Sequence, residues 1–502
     1  MRALFSILLC AQALCLPAQH RFDYQWPFGY GSDIGAGYGI SALSFSGGAV
    51  AVSPYGEAAG FELRQSGAFL CDEDGELMLM TNNCRVVDKH LATIDGGDTI
   101  TPGATHDLYC PYGYYPGGHC VLLLPEVGDD STVYLVHKNS VLSTPLQAVI
   151  GTRLYLSTIV RRADGTFYVK EKQRLLLSVN QIWGQLTAVL DAEGGRWWIW
   201  SIEYGTNRFH KFLIGGSEGA AGPFVQEIGP ALFNNDTDVG QAAFSPDGRW
   251  LGINIRTMGA LLYGFDAATG ELSAPAALPY PEPGAARGLA FSPNSRFVYV
   301  TTLDHLYQID LEASGASDQV AHLGYMRGED LDGWPVAAGM MHLGPDCRVY
   351  ISPSSTSRFL HVIHQPDLPG PAAQAEKMAI YTPTRVTFHL PNIPMFRFGG
   401  SCDSTIAWGI PAEAAEPLPP AEGARLFPNP ASGWAYLELP AGHAWAWAAA
   451  YDARGQEVRR IRLAPGQREA EIATAGWPPG LYFVRLGPQG GGPALRLVVA
   501  GR

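Results

Sequence analysis

The sequence feature that most constrains the fold is a motif that recurs about every 50 residues in the middle of the chain. Each copy has an apolar run, a tight proline-containing turn and a second apolar run, and the copies lie at residues 240–255, 288–301 and, in degraded form, 341–352. Proline presets the backbone of such a turn, and Asp-Gly or Asn-Ser completes it. A third strand and a polar turn follow, as in residues 261–270. Four short strands in each period of about 40–50 residues predict the blades of a β-propeller.

Weaker copies extend this pattern towards the N-terminus, where Asp-Gly or Gly-Gly turns separate apolar runs at residues 69–80, 159–170 and 188–200. Divided among seven blades, residues 22–410 leave about 56 residues for each. We therefore predict an all-β chain with a seven-bladed β-propeller at residues 20–410, while six or eight blades remain open.

Composition and charge exclude two classes of protein. Hydrophobic residues make up 47% of the chain and charged residues only 16%, so the chain can bury a core and is not globally disordered. The net charge of −13 argues against a nucleic acid partner, because such partners are bound through basic surfaces.

The N-terminus has the pattern of a secretory signal peptide over residues 1–19. Arg2 supplies the positive charge, residues 3–16 are apolar, and residues 16–18 suit a cleavage site. No later segment approaches 18 uninterrupted apolar residues, so we expect no transmembrane segment in the mature chain.

A change in composition divides the chain after residue 410. Residues 411–423 hold four prolines and three glutamates, which predicts an extended, semi-rigid linker. Residues 424–502 contain six short strand patterns, which predict a small Ig-like β-sandwich.

This C-terminal unit resembles the type A sorting domain of cargo proteins of the bacterial type IX secretion system. The matching segments are residues 426–430, 451–458, 480–486 and 496–499, in that order and at the end of the chain. The motif residues are Pro428, Asn429, Pro430, Asp452, Gly455, Gly480 and Tyr482.

The resemblance implies partners and a location. Its partners would be the type IX secretion translocon and a sortase-like peptidase, which removes the domain at the outer membrane. A lipopolysaccharide-type anchor often replaces the domain in that family. We therefore expect a protein that is secreted or displayed on the surface of a Gram-negative bacterium, after passage through the periplasm.

The propeller region is similar to uncharacterised WD/YVTN-like propellers that carry the same sorting domain. The shared segments include residues 81–84, 97–103, 196–199, 360–370 and 390–392. This resemblance implies no activity.

Six cysteines remain after the signal peptide, which in an exported chain favours disulfides, and six allow 15 pairings. The expected pairs are Cys84–Cys110, Cys71–Cys120 and Cys347–Cys402. The first follows from the family-like Asn-Cys and Tyr-Cys positions, and the second joins the two cysteines left over in the same region.

Two groups of residues are candidates for a site. The acidic turn with Asp72, Asp74 and Glu76 could hold calcium, although a solvated hairpin explains it equally well, and no other cofactor is expected. A long insertion rich in aromatic residues could bind a ligand, because Tyr stacks well on sugar rings. Its candidate residues are His106, Asp107, Tyr109, Tyr112, Tyr114 and His119.

No catalytic constellation is recognisable, so we interpret the protein as a non-catalytic module that binds a glycan or a protein. The alternative is a glycan-active hydrolase or lyase with its site at the propeller channel, and a structural spacer is a third possibility. The titratable groups that could serve an enzyme are Asp107, His119, Asp304, His305, Glu329 and Asp330.

Overall fold

The structure is a computed structural model. It describes residues 21–500 with gaps at residues 147, 234–239, 257, 283–285, 316–318, 331–332, 398, 400–401, 411–423, 441–444, 453–455, 465 and 488–493. The predicted signal peptide and linker lie outside the described residues.

The repeated motif forms the turn between the first two strands of a blade. In the copy at residues 240–255, the Gly248 N–H donates to Ser245 O at 2.9 Å and the Ser245 hydroxyl donates to Asp247 at 2.6 Å. In the next copy, the Ser292 hydroxyl donates to Asn294 at 2.7 Å in the same way. In both copies the serine hydroxyl thus closes the turn, because it donates to the Asp or Asn side chain two residues later and accepts the N–H of the residue that follows the turn.

Within the described residues, seven antiparallel sheets form successive blades along the chain, in addition to the smaller sheets named below. The first two comprise β1 (Gln25–Gly29), β2 (Ile40–Ser44) and β3 (Ala51–Pro54), then β4 (Ala68–Cys71), β5 (Leu77–Thr81) and β6 (Val86–Asp88). The third-blade region comprises β7 (Val121–Glu126), β8 (Asp129–Lys138), β9 (Val141–Ser143), β10 (Ala148–Gly151), β11 (Leu154–Arg161), β12 (Phe167–Leu177) and β13 (Gln181–Ile182). Of these, β7, β8, β11 and β12 form the blade, and β9, β10 and β13 form a small separate sheet.

The remaining blades follow the same order. The fourth comprises β14 (Ala188–Leu190), β15 (Trp197–Ile202), β16 (Thr206–Ile214) and β17 (Ala220–Leu232). The fifth comprises β18 (Ala242–Phe244), β19 (Trp250–Ile255), β20 (Gly259–Asp266), β21 (Glu271–Leu272) and β22 (Ala276–Ala277). The sixth comprises β23 (Ala286–Phe291), β24 (Phe297–Thr302), β25 (His305–Asp310) and β26 (Val320–Tyr325), and a hairpin of β27 (Gly328–Glu329) and β28 (Pro335–Val336) follows it. The seventh comprises β29 (Ala338–Leu343), β30 (Val349–Pro353), β31 (Ser357–Ile363) and β32 (Ala375–Val386).

The seventh blade packs against the first and closes the ring. The Trp26 ring centroid lies 5.3 Å from that of Tyr350, and Phe45 lies 5.6 Å from the same ring. The Ser41 and Thr384 hydroxyls are 2.6 Å apart across the same boundary. The predicted seven-bladed propeller is therefore confirmed.

After the last blade the chain passes through the centre of the ring. This central segment, residues 388–397, contacts the innermost strands of several blades. The Asn392 amide donates to Val121 O at 3.1 Å and to Leu186 O at 2.8 Å, and the Met395 N–H donates to Ala188 O. Asn392 and Met395 also form parallel bridges with Ala68 and Val189. Leu390, Asn392 and Arg397 are buried, so the chain itself fills the channel.

The central segment is fixed where it enters the channel and where it leaves. At the entrance, Gly118 packs against the His389 ring, and a Cβ at this position would lie 2.2 Å from His389 Nε2 and displace the ring. At the exit, Arg397 forms a buried ion pair with Asp23 and donates to Gly344 O at 3.1 Å. Cys402 then forms a disulfide with Cys347 in a turn of the seventh blade.

Two predicted disulfides are present, Cys84–Cys110 and Cys347–Cys402. The predicted pair Cys71–Cys120 is wrong, because both cysteines are free and buried. Asn392 binds Val121 and Ala68, so these two residues lie at one level of the ring. Cys120 precedes Val121, whereas Cys71 lies three residues beyond Ala68, which separates the thiols by about 13 Å along the strands. A disulfide requires Cα atoms within about 7 Å.

Helical structure is short. Among the fully described elements it comprises α1 (Ala104–Tyr109) and the 3₁₀ turns Ser32–Ile34, Ser46–Gly48, Cys110–Tyr112 and Gly370–Ala373. In the part of the chain that the structure describes, no helix is long and apolar enough to cross a membrane.

The C-terminal unit has two antiparallel sheets. Its strands are β33 (Arg425–Phe427), β34 (Trp434–Glu438), β35 (Trp447–Tyr451), β36 (Glu457–Arg462), β37 (Glu469–Ala473), β38 (Gly480–Gly487) and β39 (Ala494–Val499). One sheet has the order β33-β34-β37 and the other β36-β35-β38-β39. Ala435 and Leu437 of the first sheet pack with Val484 and Leu497 of the second. The predicted β-sandwich is confirmed.

Candidate ligand-binding face

The two faces of the ring differ in their loops. One face, called the upper face here, carries the loops between the second and third strand of blades two to seven and the loops that join successive blades. In blade one the loop between β1 and β2 lies on this face, because the Tyr30 hydroxyl contacts Thr356 in the loop between β30 and β31. The other, the lower face, carries the Ser-Pro turns. Long connections on the upper face lie beside blades one and two, at residues 30–39, 55–67 and 89–120. The central segment enters at the upper face and emerges at the lower face, where the Asp403 N–H donates to Pro345 O and the Ala407 N–H donates to Gly48 O.

Aromatic rings and guanidinium groups stack on one another across these upper loops. Tyr109 and Tyr114 have ring centroids 5.5 Å apart, and Arg64 lies 3.6 Å from the Tyr114 ring and 5.6 Å from Tyr30. Tyr30 packs edge-to-face on Tyr38 at 5.1 Å. Arg385 then lies 5.6 Å from both Tyr38 and Trp334. We call this set the stacked array: Tyr109, Tyr114, Arg64, Tyr30, Tyr38, Arg385 and Trp334.

The stacked array joins loops that are far apart in sequence. Cys110 is tied to Cys84 in a loop of blade two, which holds Tyr109 and Tyr114 beside the loop of Arg64. The Tyr30 hydroxyl lies 2.5 Å from the Thr356 hydroxyl of blade seven. Tyr30 is nearly buried and forms the floor, whereas Trp334 is 45% exposed at one end. Exposed aromatic surface beside buried anchors suits the binding of a flat, ring-shaped ligand.

Glu62 is the carboxylate next to Arg64. Its Oε2 lies 2.7 Å from Arg64 Nε, but the contact lacks hydrogen-bond geometry, and both atoms are buried without a hydrogen-bond partner. Burial raises the pKa of Glu62 to about 7; the Arg64 charge lowers it, and the negative charge of Asp33 raises it further. A large part of Glu62 is therefore uncharged near neutral pH.

The other end of the array carries two more arginines. Arg385 Nη1 lies 3.9 Å from the Asp330 carboxylate. The same carboxylate accepts the backbone N–H of Trp334 at 2.8 Å and so closes the hairpin of β27 and β28. Arg358 donates to the Tyr381 hydroxyl at 2.6 Å and lies against Gly37. Three guanidinium groups thus surround the Tyr30–Tyr38 pair.

The structure brings some predicted ligand-binding residues together and separates others. Tyr109 and Tyr114 belong to the stacked array, and Tyr112 is exposed beside them. His106 and Asp107 lie on α1, with Nδ1 and Oδ1 3.2 Å apart. These five residues share the upper face.

His119 does not join this group. It is buried in the channel, where its ring lies 5.2 Å from His342. Burial lowers the pKa of His119 well below its usual value, and the charges of His342 and His389 lower it further. Burial also lowers the pKa of His342 to about 3. The surrounding channel retains a cavity of about 40 Å³, lined in part by His342, Asp23 and Arg397.

The predicted calcium residues have a local role. The Asp72 carboxylate accepts the N–H groups of Asp74 at 3.0 Å and Glu76 at 2.9 Å, which closes the turn between β4 and β5. Over the described ranges, no group of three or more His, Cys, Asp or Glu side chains could hold a metal ion. Calcium binding at this turn stays a prediction.

The six titratable groups considered for catalysis do not converge. Asp107 is exposed on α1, and His119 is buried in the channel. Asp304 lies 3.5 Å from Arg327, and His305 lies 3.0 Å from His322 on blade six. Glu329 and Asp330 belong to the hairpin after that blade, where Asp330 binds the Trp334 N–H.

Sequence reasoning missed most of the stacked array. Tyr30, Tyr38, Arg64, Arg385 and Trp334 belong to no motif and come from three different connections and the end of strand β32. The glycine-rich segment around Tyr30 and Tyr38 was the available signal. Five glycines at residues 29–39 indicate a loop, and the two tyrosines among them indicate that this loop carries aromatic side chains.

The sorting-motif residues occupy turns and strand starts of the C-terminal unit. The Asn429 side chain donates to Arg496 O at 2.7 Å and accepts the Val498 N–H at 2.8 Å, so the Pro428–Pro430 turn is joined to β39. Asp452 accepts the Gln456 N–H at 2.9 Å. Gly480 begins β38, and the Tyr482 hydroxyl donates to Pro478 O. Gly455 lies outside the described residues.

The comparison with protein-family models agrees with the C-terminal unit. The family model of the secretion system C-terminal sorting domain matches residues 425–499. Comparison with curated protein sequences gives no match.

Among solved structures, a protein from Lactobacillus plantarum is 12% identical with a TM-score of 0.44, and the match covers 73% of this chain and 97% of that chain. The β-propeller domain of Cps50 (Swd1) from Myceliophteria thermophila is 10% identical with a TM-score of 0.37 and covers 63% and 88%. PorZ, a surface component of the type IX secretion system of Porphyromonas gingivalis, is 12% identical with a TM-score of 0.29 and covers 92% and 68%. Such similarities carry no argument about activity.

The order and positions of the sorting motif, the β-sandwich that contains it and the family match all describe the same C-terminal unit. Residues 425–499 therefore belong to the secretion system C-terminal sorting domains, and the chain is a β-propeller that carries the export domain of type IX secretion cargo.

Proposed function

We propose that the exported propeller is a non-catalytic binding module whose ligand, a glycan, lies on the stacked array. The observation that carries the proposal is the continuous series of rings and guanidinium groups in contact from Tyr109 to Trp334. Aromatic faces stack on sugar rings, and guanidinium groups donate hydrogen bonds to hydroxyl or acidic substituents.

The filled channel supports binding at the upper face over catalysis in the channel. The cavity that the central segment leaves has room for only about three water molecules. A sugar ring does not fit such a space. The candidate catalytic groups are also divided among α1, the channel, and blade six with the hairpin that follows it.

The path of the chain supports display of the same face. Residue Ile410, where the linker begins, lies beyond the contact of Ala407 with Gly48 on the lower face. The stacked array is on the opposite face. A chain held through its C-terminal side therefore leaves the array free to meet an external ligand.

We further propose the fate that the sorting domain implies. The domain is recognised by the secretion machinery at the outer membrane, removed by the sortase, and the propeller is then released or joined to a lipopolysaccharide-type anchor. The match of residues 425–499 supports this proposal.

A glycan array paired with an activity screen tests the binding proposal. The mature chain should bind a glycan, and Tyr114→Ala and Trp334→Ala should each weaken binding about 3- to 10-fold through lost ring contacts. Phe224→Ala, an exposed ring on the outer strand β17 away from the array, should leave binding unchanged. If the mature chain turns over a glycan, and one substitution in the stacked array abolishes that turnover, the non-catalytic proposal is wrong and the array is a catalytic site.

A further inference from the structure

The pairing of Arg64 with Glu62 indicates what kind of sugar the stacked array takes. The guanidinium carbon of Arg64 lies 3.6 Å from the centroid of the Tyr114 ring, and the Arg64 side chain remains 27% exposed. The ring contact therefore holds the guanidinium group in place, while part of the side chain is open to solvent. An oriented guanidinium edge matches the two oxygens of a carboxylate.

The carboxylate now beside Arg64 fits it poorly. Among the described residues, Glu62 is the carboxylate that forms an ion pair with Arg64, and it approaches Nε without hydrogen-bond geometry. Glu62 is also buried, so its ionised form is costly. A ligand carboxylate that approached the open edge could form two parallel hydrogen bonds and would stay partly solvated.

We propose that Arg64 recognises the carboxylate of an acidic sugar whose ring lies on the stacked array, and that Glu62 competes with this carboxylate for Arg64. The inference rests on the proposed function and adds the class of ligand. Arg358 and Arg385 place two further guanidinium groups beside the Tyr30–Tyr38 pair.

The competition makes binding depend on pH. The groups that face Glu62 are Arg64 on its own loop, Asp33 on the loop after β1, and Tyr114 on the insertion before β7. Because the pKa of Glu62 is raised to about 7, lowering the pH from 8 to 6 neutralises Glu62. A sugar carboxylate stays ionised over that range, with a pKa near that of an ordinary carboxyl, about 4. Affinity should therefore rise as the pH falls from 8 to 6.

The test uses pairs of probes that differ only in the acidic group. Oligosaccharides ending in glucuronate, galacturonate or sialate are each compared with their neutral counterparts for binding to the mature chain. We expect the acidic member of at least one pair to bind about 10-fold more tightly, since a charge-assisted hydrogen-bond pair contributes at least that factor.

Three variants then assign the effect. Arg64→Gln should abolish the preference for the acidic probe and leave the weaker binding of the neutral probe. Glu62→Gln should increase affinity for the acidic probe at pH 8 and remove its pH dependence. Glu57→Gln, an exposed glutamate on the same loop, should change neither. The pH profile of the unaltered chain supplies the same evidence should a variant fold poorly.

The outcomes separate the two proposals. Equal binding of acidic and neutral members refutes the recognition of a carboxylate and leaves the glycan-binding function standing. An affinity that is unchanged between pH 8 and 6, or unchanged in Glu62→Gln, refutes the competition. Absence of binding to every glycan refutes both proposals.

Discussion

Replacing Arg397 by methionine should destabilise the propeller strongly, because it removes the partner of a buried carboxylate. The Arg397–Asp23 pair lies where the central segment leaves the channel, and both side chains are almost fully buried. Burial already raises the pKa of Asp23, although the charge of Arg397 lowers it. Removing one partner of a buried pair costs about 3–5 kcal/mol, and methionine also loses the hydrogen bond to Gly344 O.

The loss should depend on pH in a defined direction. Without Arg397, Asp23 avoids the burial of a charge by binding a proton in the folded state, while the unfolded state releases it above its ordinary pKa of about 3.9. The folded-state pKa is raised, so the stability that this carboxyl contributes is greatest at low pH and is lost as the pH rises. The deficit of the variant should therefore shrink by up to about 1.4 kcal/mol per pH unit between pH 7 and 5.

Urea unfolding of the mature chain, followed by tryptophan fluorescence at pH 7, 6 and 5, measures both quantities. The matched control is Arg249→Met, whose pair with Asp247 at 2.5 Å is exposed and should contribute below about 1 kcal/mol at every pH. The double variant Asp23→Asn/Arg397→Met should recover part of the loss. A deficit no larger than that of the control, or one independent of pH, would refute the role assigned to this pair.

Three further predictions concern the thiols, the channel histidines and export. The denatured, unreduced mature chain should expose two reactive thiols, those of Cys71 and Cys120, and four thiols before reduction would contradict this assignment. Reducing Cys347–Cys402 should lower the free energy of unfolding by about 4 kcal/mol on the chain-entropy model for a separation of 55 residues. Burial lowers the pKa of His342 to about 3, so the stability that this histidine contributes is present above about pH 6.5 and is lost as the pH falls towards 3. His342→Phe should therefore flatten the acid side of a plot of stability against pH by up to about 1.4 kcal/mol per pH unit. An unchanged slope would contradict this prediction. Deleting residues 425–502 should leave a folded propeller in the periplasm, as cell fractionation and circular dichroism would show, whereas normal delivery outside the cell would argue against the sorting role.

The repeat predicted the blades because its information is local. Each Ser-Pro-Asp/Asn turn is closed by hydrogen bonds within a few residues, as Ser245 and Asp247 show, so the pattern is visible in one copy and confirmed by its recurrence. The central segment could not be predicted in this way. Residues 388–397 have no periodic pattern, and Asn392 finds its acceptors Val121 and Leu186 only after the ring has assembled.

The cysteines show the same limit. Cys84 and Cys110 could be paired from the family-like positions, but assigning Cys71 to Cys120 by what remained ignored the level of each residue along its strand. Cys71 ends β4, whereas Cys120 precedes β7 at the opposite end of the neighbouring inner strand. That distance follows from the parallel order of inner strands in a propeller, which no spacing in sequence records.

The candidate site was predicted in part for a related reason. Tyr109 and Tyr114 were visible as aromatic residues in a long insertion, since composition marks such loops. Arg64 and Trp334 become site residues only through their contacts, Arg64 with Tyr114 and Trp334 with Arg385. These contacts belong to an array that extends across blades one, two and seven. Closure of the ring brings blade seven next to blade one, so the sequence separates residues that the fold unites.

Hydrogen exchange of the mature chain with and without a glycan selected from the array tests most directly whether the ligand lies on the stacked array. With glycan bound, we expect slower exchange in the upper loops, at residues 30–39, 55–67 and 104–115, and unchanged exchange in the inner strands and the central segment. Protection confined to the inner strands, the central segment or the lower-face turns would contradict it.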